Sequence, residues 1–216
     1  MLWAFLALST IAVAFLLDEP VARLLEFRTP GPGKTLAIWV SKLGEGWAVA
    51  LAGLTVALWC FGRGKAHEAH QSLFVIGTSL VTGLAATLLR VLLGRTRPDA
   101  MVEQGFYGIW HDGEWILGKY AFSSFPSGHV ATVISLATAV WLLNRRLGVF
   151  ISLYAIAVCW SRIAARCHHF SDVIAAAAFG MAGAYYAVEF VLPRLDTMRE
   201  NLRLRIGGNR GLARQR

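Results

Sequence analysis

The stretch SRIAARCHHFSD, residues 161–172, lies where one apolar run ends and the next begins. The two runs cover roughly 147–166 and 172–192. A run of about 20 mostly apolar residues is long enough to cross a lipid bilayer as a helix. The stretch therefore predicts two membrane helices that meet at one membrane face, with an arginine, two adjacent histidines and an aspartate held at that face.

The composition of the whole chain also indicates a membrane protein. Of its 216 residues, 56% are hydrophobic and only 16% are charged, against about 25% charged residues in an ordinary soluble domain. The net charge of +8 does not predict nucleic acid binding, because the basic residues gather between apolar runs and in the tail from Arg194 to Arg216. Such clusters are typical of the cytoplasmic ends of membrane helices.

Six apolar runs predict an all-α fold, a six-transmembrane helical bundle. Their approximate bounds are 1–17, 46–61, 71–93, 127–143, 147–166 and 172–192. The first run lacks a positively charged start and a cleavage site, so we interpret it as an uncleaved helix. We predict one membrane domain over residues 1–193 and a basic cytoplasmic tail over 194–216.

The connections between these runs differ in length and composition. Segment 18–45 contains three prolines, which predicts a long connection with at most a short interfacial helix at 20–28. The second run is short and is interpreted as tilting little or as beginning inside that connection. The three cysteines have no paired spacing, so we expect neither a disulfide framework nor a cysteine metal site.

The positions of lysine and arginine predict the orientation of the bundle. Arg63 and Lys65 follow the second run, Arg145 and Arg146 follow the fourth, and seven arginines follow the sixth. With an even number of spans these three segments share one side, and the positive-inside rule makes that side cytoplasmic. We therefore expect a multi-pass protein of the cytoplasmic (inner) membrane, with both termini in the cytoplasm.

Two further polar stretches belong with the first. RVLLGRTRP, residues 90–98, ends the third run, and FPSGH, residues 125–129, opens the fourth. In the predicted topology both lie on the same side as residues 161–172, facing the periplasm or the exterior. Topology alone therefore brings three segments that are distant in sequence to one membrane face.

These stretches contain the groups of an anion site. Arg90, Arg97 and Arg162 are cations near the ends of apolar helices, where charge is costly and is usually functional. Arginine suits bidentate recognition of phosphate oxygens. Ser127 and Gly128 open a helix whose free N–H groups favour an anion. The set predicts a phosphoryl-binding site.

Two histidines and an aspartate add reactive groups to this site. Asp172 follows His168 by four residues, which places both on one helical face. A carboxylate that holds one ring nitrogen makes the other a better nucleophile or base. His129, from another helix, could protonate a leaving oxygen. The set fits phosphoryl transfer through a phosphohistidine, without a metal or cofactor because the arginines stabilise the phosphoryl oxygens.

The three stretches together resemble the motifs of the type 2 phosphatidic acid phosphatase (PAP2) family, which shares its site with the vanadium haloperoxidases. The family pattern is K-x6-RP, then PSGH, then SR-x5-H-x3-D. The second and third motifs are complete at residues 126–129 and 161–172. The first motif has Arg90 where lysine is usual, followed by Arg97 and Pro98.

The resemblance implies roles for the individual residues. His168 would attack phosphorus, Asp172 would orient it and His129 would protonate the leaving alkoxide. The residues that would hold the phosphate are Arg90, Arg97, Ser127, Gly128 and Arg162.

The resemblance further implies an integral membrane phosphatase that acts on a lipid phosphate or pyrophosphate, with the bilayer as its surroundings. Candidate substrates are polyprenyl pyrophosphate, phosphatidylglycerol phosphate, phosphatidic acid and the 1-phosphate of lipid A. The compact chain slightly favours polyprenyl pyrophosphate or a glycerophospholipid phosphate. The alternatives are a lipid phosphotransferase and a non-catalytic lipid or anion transporter; a haloperoxidase is disfavoured because those relatives are larger soluble proteins.

Several polar residues lie outside the motifs. Arg95 and Lys119 are candidates for a second charge contact with the substrate, or for side chains that snorkel to water. We expect His169 to be an exposed loop histidine. Three groups in segment 107–120 are expected in a solvated loop, with a headgroup contact as the alternative: His111, Asp112 and Glu114.

Overall fold

The structure, a computed structural model, describes residues 2–198, without the side chains of residues 2–5 and 7. The helices of this part are α1 (Leu2–Leu16), α2 (Asp18–Leu25), α3 (Pro32–Leu43), α4 (Gly46–Gly62), α5 (Ala66–Leu93), α6 (Gly128–Leu143), α7 (Arg145–Ala164) and α8 (Phe170–Tyr186). The all-α prediction needs one small correction, because β1 (Trp110–His111) and β2 (Glu114–Trp115) form an antiparallel hairpin between α5 and α6.

Each of the six predicted apolar runs contains a helix. The third begins earlier than predicted, at Ala66. The sixth continues past α8 through a π-helical turn, Ala187–Val191, and remains helical to Met198. The predicted basic tail therefore begins within this helix, and its residues 199–216 lie outside the described part.

The prediction of a long connection over 18–45 was wrong for its second half. Residues Pro32–Leu43 form helix α3, with Pro32 in the first helical turn. Proline is tolerated there because the N–H that it lacks would have no partner inside the helix. The short helix expected at 20–28 exists as α2, which begins two residues earlier at Asp18.

Membrane-spanning length is reached by three of the described helices, and by a fourth if a bent pair counts as one span. The three are α5, α7 and the long helix that begins as α8. The bent pair is α3 and α4, which meet at 54° and form either one broken span or a re-entrant segment; where the second predicted span begins therefore stays a prediction. α6 has 16 residues and α1 has 15; six crossings therefore remain a prediction.

Helix α6 lies at the centre of the bundle, in contact with α5, α7 and α8. Small residues allow the close approach: a Cβ at Gly180 of α8 would lie 2.8 Å from the carbonyl oxygen of Ala131 in α6. Small residues at such crossings are typical of membrane helix packing. Because neighbouring helices run antiparallel, the end of α5, the start of α6, the end of α7 and the start of α8 all lie at one end of the bundle.

Candidate active site

The three polar stretches meet at this end of the bundle. Helix α5 stops at Gly94, whose φ of 58° is left-handed and whose Cα lies so close to the carbonyl of Gly108 that a Cβ would overlap it. The chain therefore turns sharply after Arg90, and the loop with Arg97 folds back over the bundle. Helix α7 ends just after Arg162, and the main-chain N–H of His168 donates to the Arg162 carbonyl at 3.1 Å.

His168 is fully buried in the turn between α7 and α8. Its Nδ1 lies 2.8 Å from the carbonyl oxygen of Ser124, which can only accept a hydrogen bond. Nδ1 therefore carries the proton, and Nε2 keeps a free lone pair. Nε2 is buried without a hydrogen-bond partner, as a nucleophile that faces a substrate site would be.

Asp172 lies beside the histidine, as the four-residue spacing predicts. Its Oδ2 is 3.6 Å from His168 Nδ1, which is longer than a hydrogen bond. That oxygen instead accepts from the Ser124 hydroxyl at 2.5 Å and from the His169 N–H at 2.8 Å. The carboxylate acts on the imidazole through space, while the Ser124 carbonyl fixes the tautomer.

The predicted cations lie close to one another and to His129. Arg97 and Arg162 lie near enough to Arg90 for their positive charges to repel its guanidinium. All three arginines also interact electrostatically with the imidazole of His129. Arg97 is held by the Ser123 carbonyl at 3.1 Å and by the ring of Tyr120, whose centroid is 3.8 Å from the guanidinium carbon. Like charges converge in this way where an anion compensates them.

The start of α6 completes this part of the site. Ser127 is fully buried at the N-cap, but its hydroxyl makes no capping hydrogen bond. A Cβ at Gly128 would lie 3.9 Å from Arg90 Nη1 and 2.6 Å from the Thr87 hydroxyl. The glycine thus lets the end of α5, with Arg90, approach the start of α6, where the first N–H groups of a helix have no partner within it.

Unpaired buried polar atoms mark the site most clearly. Among the residues that the structure describes, four buried side-chain nitrogen or oxygen atoms have no hydrogen-bond partner: Arg90 Nε, Ser127 Oγ, Arg162 Nε and His168 Nε2. All four belong to the predicted site. Leaving such a group unpaired costs about 1–3 kcal/mol or more, so four together indicate a ligand that pairs with them.

Burial also sets the charge state of His168. It lowers the pKa of the imidazole to about 3, with the nearby Arg162 acting in the same direction and Asp172 opposing it. The ring is therefore neutral throughout the physiological range. A neutral ring with its proton on Nδ1 is the form that can attack through Nε2.

Sequence reasoning missed two serines that position site residues. Ser124 holds both His168 and Asp172. Ser41, from α3, accepts a short hydrogen bond from Arg162 Nη1. Neither serine belongs to a recognisable motif, and Ser41 lies in a segment that prolines made look like a connection. For Ser41 the available sequence signal was a polar residue within the mostly apolar stretch that forms α3.

Other polar residues differ from their expected surroundings. His169 is not a free loop histidine but the N-cap of α8, in a reciprocal capping box with Asp172. Lys119 pairs with Glu114 at 2.6 Å on the surface of the loop. Arg95 does make a second charge contact, but with Asp172.

No group of three histidine, cysteine, aspartate or glutamate side chains within residues 2–198 is arranged to hold a metal ion. The polar atoms that converge on the site are instead guanidinium and hydroxyl groups, with one imidazole nitrogen. Such a set offers hydrogen-bond donors to an anion rather than ligands to a cation.

Comparison with known proteins gives the family. The sequence model of the PAP2 superfamily matches residues 71–196. Two proteins named lipid A 1-phosphatase are each 32% identical: one from Rhizobium etli over 193 residues, covering 82% of this chain and 78% of the relative, and one from Rhizobium johnstonii over 190 residues, covering 82% and 74%.

Two crystal structures share the fold. LpxE of Aquifex aeolicus aligns with a TM-score of 0.59 and 19% identity, over 81% of this chain and 96% of its own. A transmembrane PAP2-type phosphatidylglycerolphosphate phosphatase of Bacillus subtilis aligns with a TM-score of 0.62 and 14% identity, over 89% and 98%.

The fold and the site therefore define a membrane-bound phosphatase, a hydrolase of phosphoric monoesters. The chain belongs to the PAP2 superfamily, whose model covers more than half of it, and it is a membrane lipid phosphatase of the PAP2 type.

Proposed function

We propose that this phosphatase removes the 1-phosphate of lipid A through a phosphohistidine on His168, without a metal ion. The observation that carries the mechanism is the set of four unpaired buried polar atoms, which comprises one lone pair and three hydrogen-bond donors. The donors match phosphoryl oxygens, and the lone pair matches an attacking nucleophile.

In the first step Nε2 of His168 attacks phosphorus, and the bond from phosphorus to the lipid oxygen breaks. The negative phosphate of the bound substrate offsets the charge of the three arginines, so that His129 can hold a second ring proton, and it gives this proton to the lipid oxygen as it leaves. The negative charge that spreads over the three remaining phosphoryl oxygens is stabilised by Arg90, Arg97 and Arg162. Asp172 stabilises the positive charge that develops on the imidazole as the bond to Nε2 forms.

At the start of α6, Ser127 and Gly128 hold the phosphoryl oxygens from the other side. The Ser127 hydroxyl, which makes no capping hydrogen bond, donates to one oxygen. The main-chain N–H groups of the first helical turn and the positive end of the helix dipole face the same group.

In the second step water attacks the phosphohistidine. His129, now neutral, takes the proton from the attacking water, the bond from phosphorus to Nε2 breaks, and inorganic phosphate leaves. The arginines hold the same oxygens in both steps, so one arrangement of charges serves the whole cycle. No redox partner or cofactor enters the balance.

The site faces the periplasm in this proposal, and both termini lie in the cytoplasm. Support comes from Arg63, Lys65, Arg145 and Arg146, which lie at the end of the bundle opposite the site. Basic residues favour the cytoplasmic side of a membrane. A substrate could then keep its acyl chains in the outer leaflet while its phosphate reaches the helix ends.

The substrate assignment rests on the two Rhizobium relatives, which match most of the chain and carry the name lipid A 1-phosphatase. This shifts our preference among the four candidate lipids, because chain length had slightly favoured polyprenyl pyrophosphate or a glycerophospholipid phosphate. The motif residues contact the phosphate, which all four lipids share, so they favour none of them.

The test is phosphate release by the detergent-purified protein from the four candidate lipids, with chelator present. Lipid A without its 1-phosphate is the matched control. We expect release from lipid A alone, unaffected by chelator and absent with the control lipid. Release from another lipid would refute the substrate, transfer of phosphate to a second lipid would indicate a phosphotransferase, and release from none would refute the proposed function.

A further inference from the structure

A second set of charges lies beside Asp172, the carboxylate next to His168. Arg95, between two motif residues but outside the motif pattern, is almost fully buried. Its Nη1 lies 2.5 Å from Asp172 Oδ1, and its Nη2 lies 2.7 Å from Oδ2 of Asp18. One guanidinium thus bridges the carboxylate beside the nucleophile and a carboxylate 154 residues earlier in the chain.

Asp18 is held firmly at the start of α2. Its Oδ1 accepts from the main-chain N–H of Ser171 at 2.7 Å, and its Oδ2 accepts from the Ser171 hydroxyl at 2.7 Å. The same hydroxyl oxygen accepts from Arg95 Nη1 at 2.7 Å. Asp18, Ser171 and Arg95 are therefore joined in a closed ring of charge-assisted hydrogen bonds. Ser171 is the residue directly before Asp172 in the chain.

Apolar surroundings strengthen these contacts. The guanidinium carbon of Arg95 lies 4.6, 5.2 and 5.8 Å from the ring centroids of Phe15, Phe106 and Phe125. Charges interact more strongly where water is excluded, and a buried cation without full compensation is costly. The carboxylates of Asp18 and Asp172 together compensate the positive charge of the Arg95 guanidinium. The three groups then carry one net negative charge.

That remaining charge bears on catalysis. With Asp172 alone, Arg95 would neutralise the carboxylate that should stabilise the imidazole as it becomes positive. With Asp18 present, the guanidinium is shared, and the group beside His168 stays net negative. We propose that Asp18 is a positioning residue of the phosphatase: through Arg95 it orients Asp172 and preserves the negative charge that promotes attack by His168.

Other charged groups face the same region and must be considered. Asp18 and Arg95 border a cavity of about 420 Å³ whose other charged or titratable lining residues are Glu19, Glu26, Arg28, Arg166 and His169. Glu26 pairs with Arg166 at 3.2 Å, and Glu19 pairs with Arg23 at the surface. Neither pair touches Asp172; His169 does, but through its capping contacts and not through a second carboxylate. Asp18 is therefore the acid that acts on Asp172 through Arg95.

The test rests on the proposed function and uses the full chain. In Asp18→Asn the side chain keeps its size but loses its charge. We expect kcat to fall about 10- to 100-fold, the range found when a partner behind a reacting group is removed, with KM within about twofold. Glu19→Gln is the matched control: the neighbouring acid loses the same charge at an exposed position, and kcat should stay unchanged.

A double-mutant cycle separates positioning from a purely structural role. Arg95→Met removes the bridge but keeps a long side chain among the three phenylalanines. If Asp18 acts through Arg95, Asp18→Asn has little further effect on kcat in the Arg95→Met protein. An undiminished effect there would mean that Asp18 only clamps Ser171, and would overturn the proposal.

Arg95→Lys and Asp18→Glu keep the test decisive if Asp18→Asn does not fold. A lysine at position 95 keeps the positive charge but lacks the planar fork that spans two carboxylates, so kcat of Arg95→Lys should fall. Asp18→Glu keeps the carboxylate, so its kcat should stay close to that of the wild-type protein. Unchanged kcat in Arg95→Lys or Asp18→Asn would refute this inference while leaving the phosphatase intact. A wild-type protein inactive on every lipid would instead refute the proposed function.

Discussion

The two sides of the His168 ring are equally buried but differ in how their polar atoms are paired. At Nδ1, here called the back, Ser124 pairs with the ring and with Asp172, which in turn pairs with Arg95. The front is the set of residues that, like Nε2, keep an unpaired buried polar atom: Arg90, Ser127 and Arg162. The back is thus completed by the protein itself, whereas in the proposed mechanism a substrate completes the front.

This difference separates two kinds of buried polar residue. Paired groups at the back fix the positions of the His168 ring and the Asp172 carboxylate. Their loss should weaken catalysis in proportion to how far either group can then move. In the proposed mechanism the unpaired groups at the front meet the reacting phosphoryl group, so their loss should remove stabilisation of the transition state directly. Substitutions at the front should therefore cost more activity than substitutions at the back.

The largest effect is expected at the ring itself. His168→Asn keeps an N–H donor near the position of Nδ1 but has no nucleophile at Nε2. Phosphate release should fall by at least about 10⁴-fold, as when a nucleophile is removed from a hydrolase. His111→Asn, in the hairpin of the same loop region, is the control and should retain activity.

The same variant separates the enzyme from a transporter. Anion or lipid transport needs the arginines but no nucleophile, so a transporter would keep its function in His168→Asn. Substantial phosphate release by that variant would contradict the account.

A smaller but still large loss is expected at the front. Arg162→Lys keeps the charge but lacks the fork that reaches both a phosphoryl oxygen and Ser41. We expect kcat to fall about 10²- to 10³-fold, as when one donor to a developing oxyanion is removed. Arg146→Lys, at the other end of α7, should change kcat less than twofold. A loss below about threefold in Arg162→Lys would place this arginine outside the phosphate site.

At the back, a single hydrogen bond can be removed without touching the ring. Ser124→Ala deletes the hydroxyl that donates to Asp172 but keeps the carbonyl that accepts from His168. The His169 N–H and Arg95 still hold the carboxylate, so kcat should fall by less than about tenfold, and the free energy of unfolding by about 1.5–3 kcal/mol. Ser123→Ala, its neighbour, is the control. A loss as large as that of Arg162→Lys would remove the distinction between front and back.

The smallest effect is expected from pH. Since burial lowers the pKa of His168 to about 3, the ring should stay neutral as pH falls from 8 to 5, whereas a free imidazole would protonate near pH 6.5. The ¹⁵N shifts of the imidazole, assigned with His168→Asn, should show one neutral tautomer, protonated on Nδ1, over that whole range. A titration midpoint near 6.5 would show that the ring is not buried as described.

The same pKa shift also sets how stability changes with pH. Between about pH 3 and 6.5 the unfolded state binds a proton at His168 that the folded state does not. This residue therefore lowers the stability of the fold as pH falls through that window.

Sequence could predict the front of the site better than its back. Arg97, Ser127 and His168 stand in motifs whose spacing is itself informative. Asp18 and Ser41 have no such spacing and reach the site only through the packing of α2 and α3, which are set by tertiary contacts. Helix α3 was missed because its proline indicates a connection from sequence alone, whereas in the structure it occupies the first turn of a helix.

The most direct test of the central claim is to locate the phosphoryl group during turnover. Wild-type protein mixed with lipid A and quenched at alkaline pH, where phosphohistidine survives, would be digested and analysed by mass spectrometry. The account predicts an acid-labile phosphoryl group on Nε2 of His168, present only while substrate remains and absent in His168→Asn. A phosphoryl group on His129 or His169, or turnover in which no protein-bound phosphate forms, would contradict it.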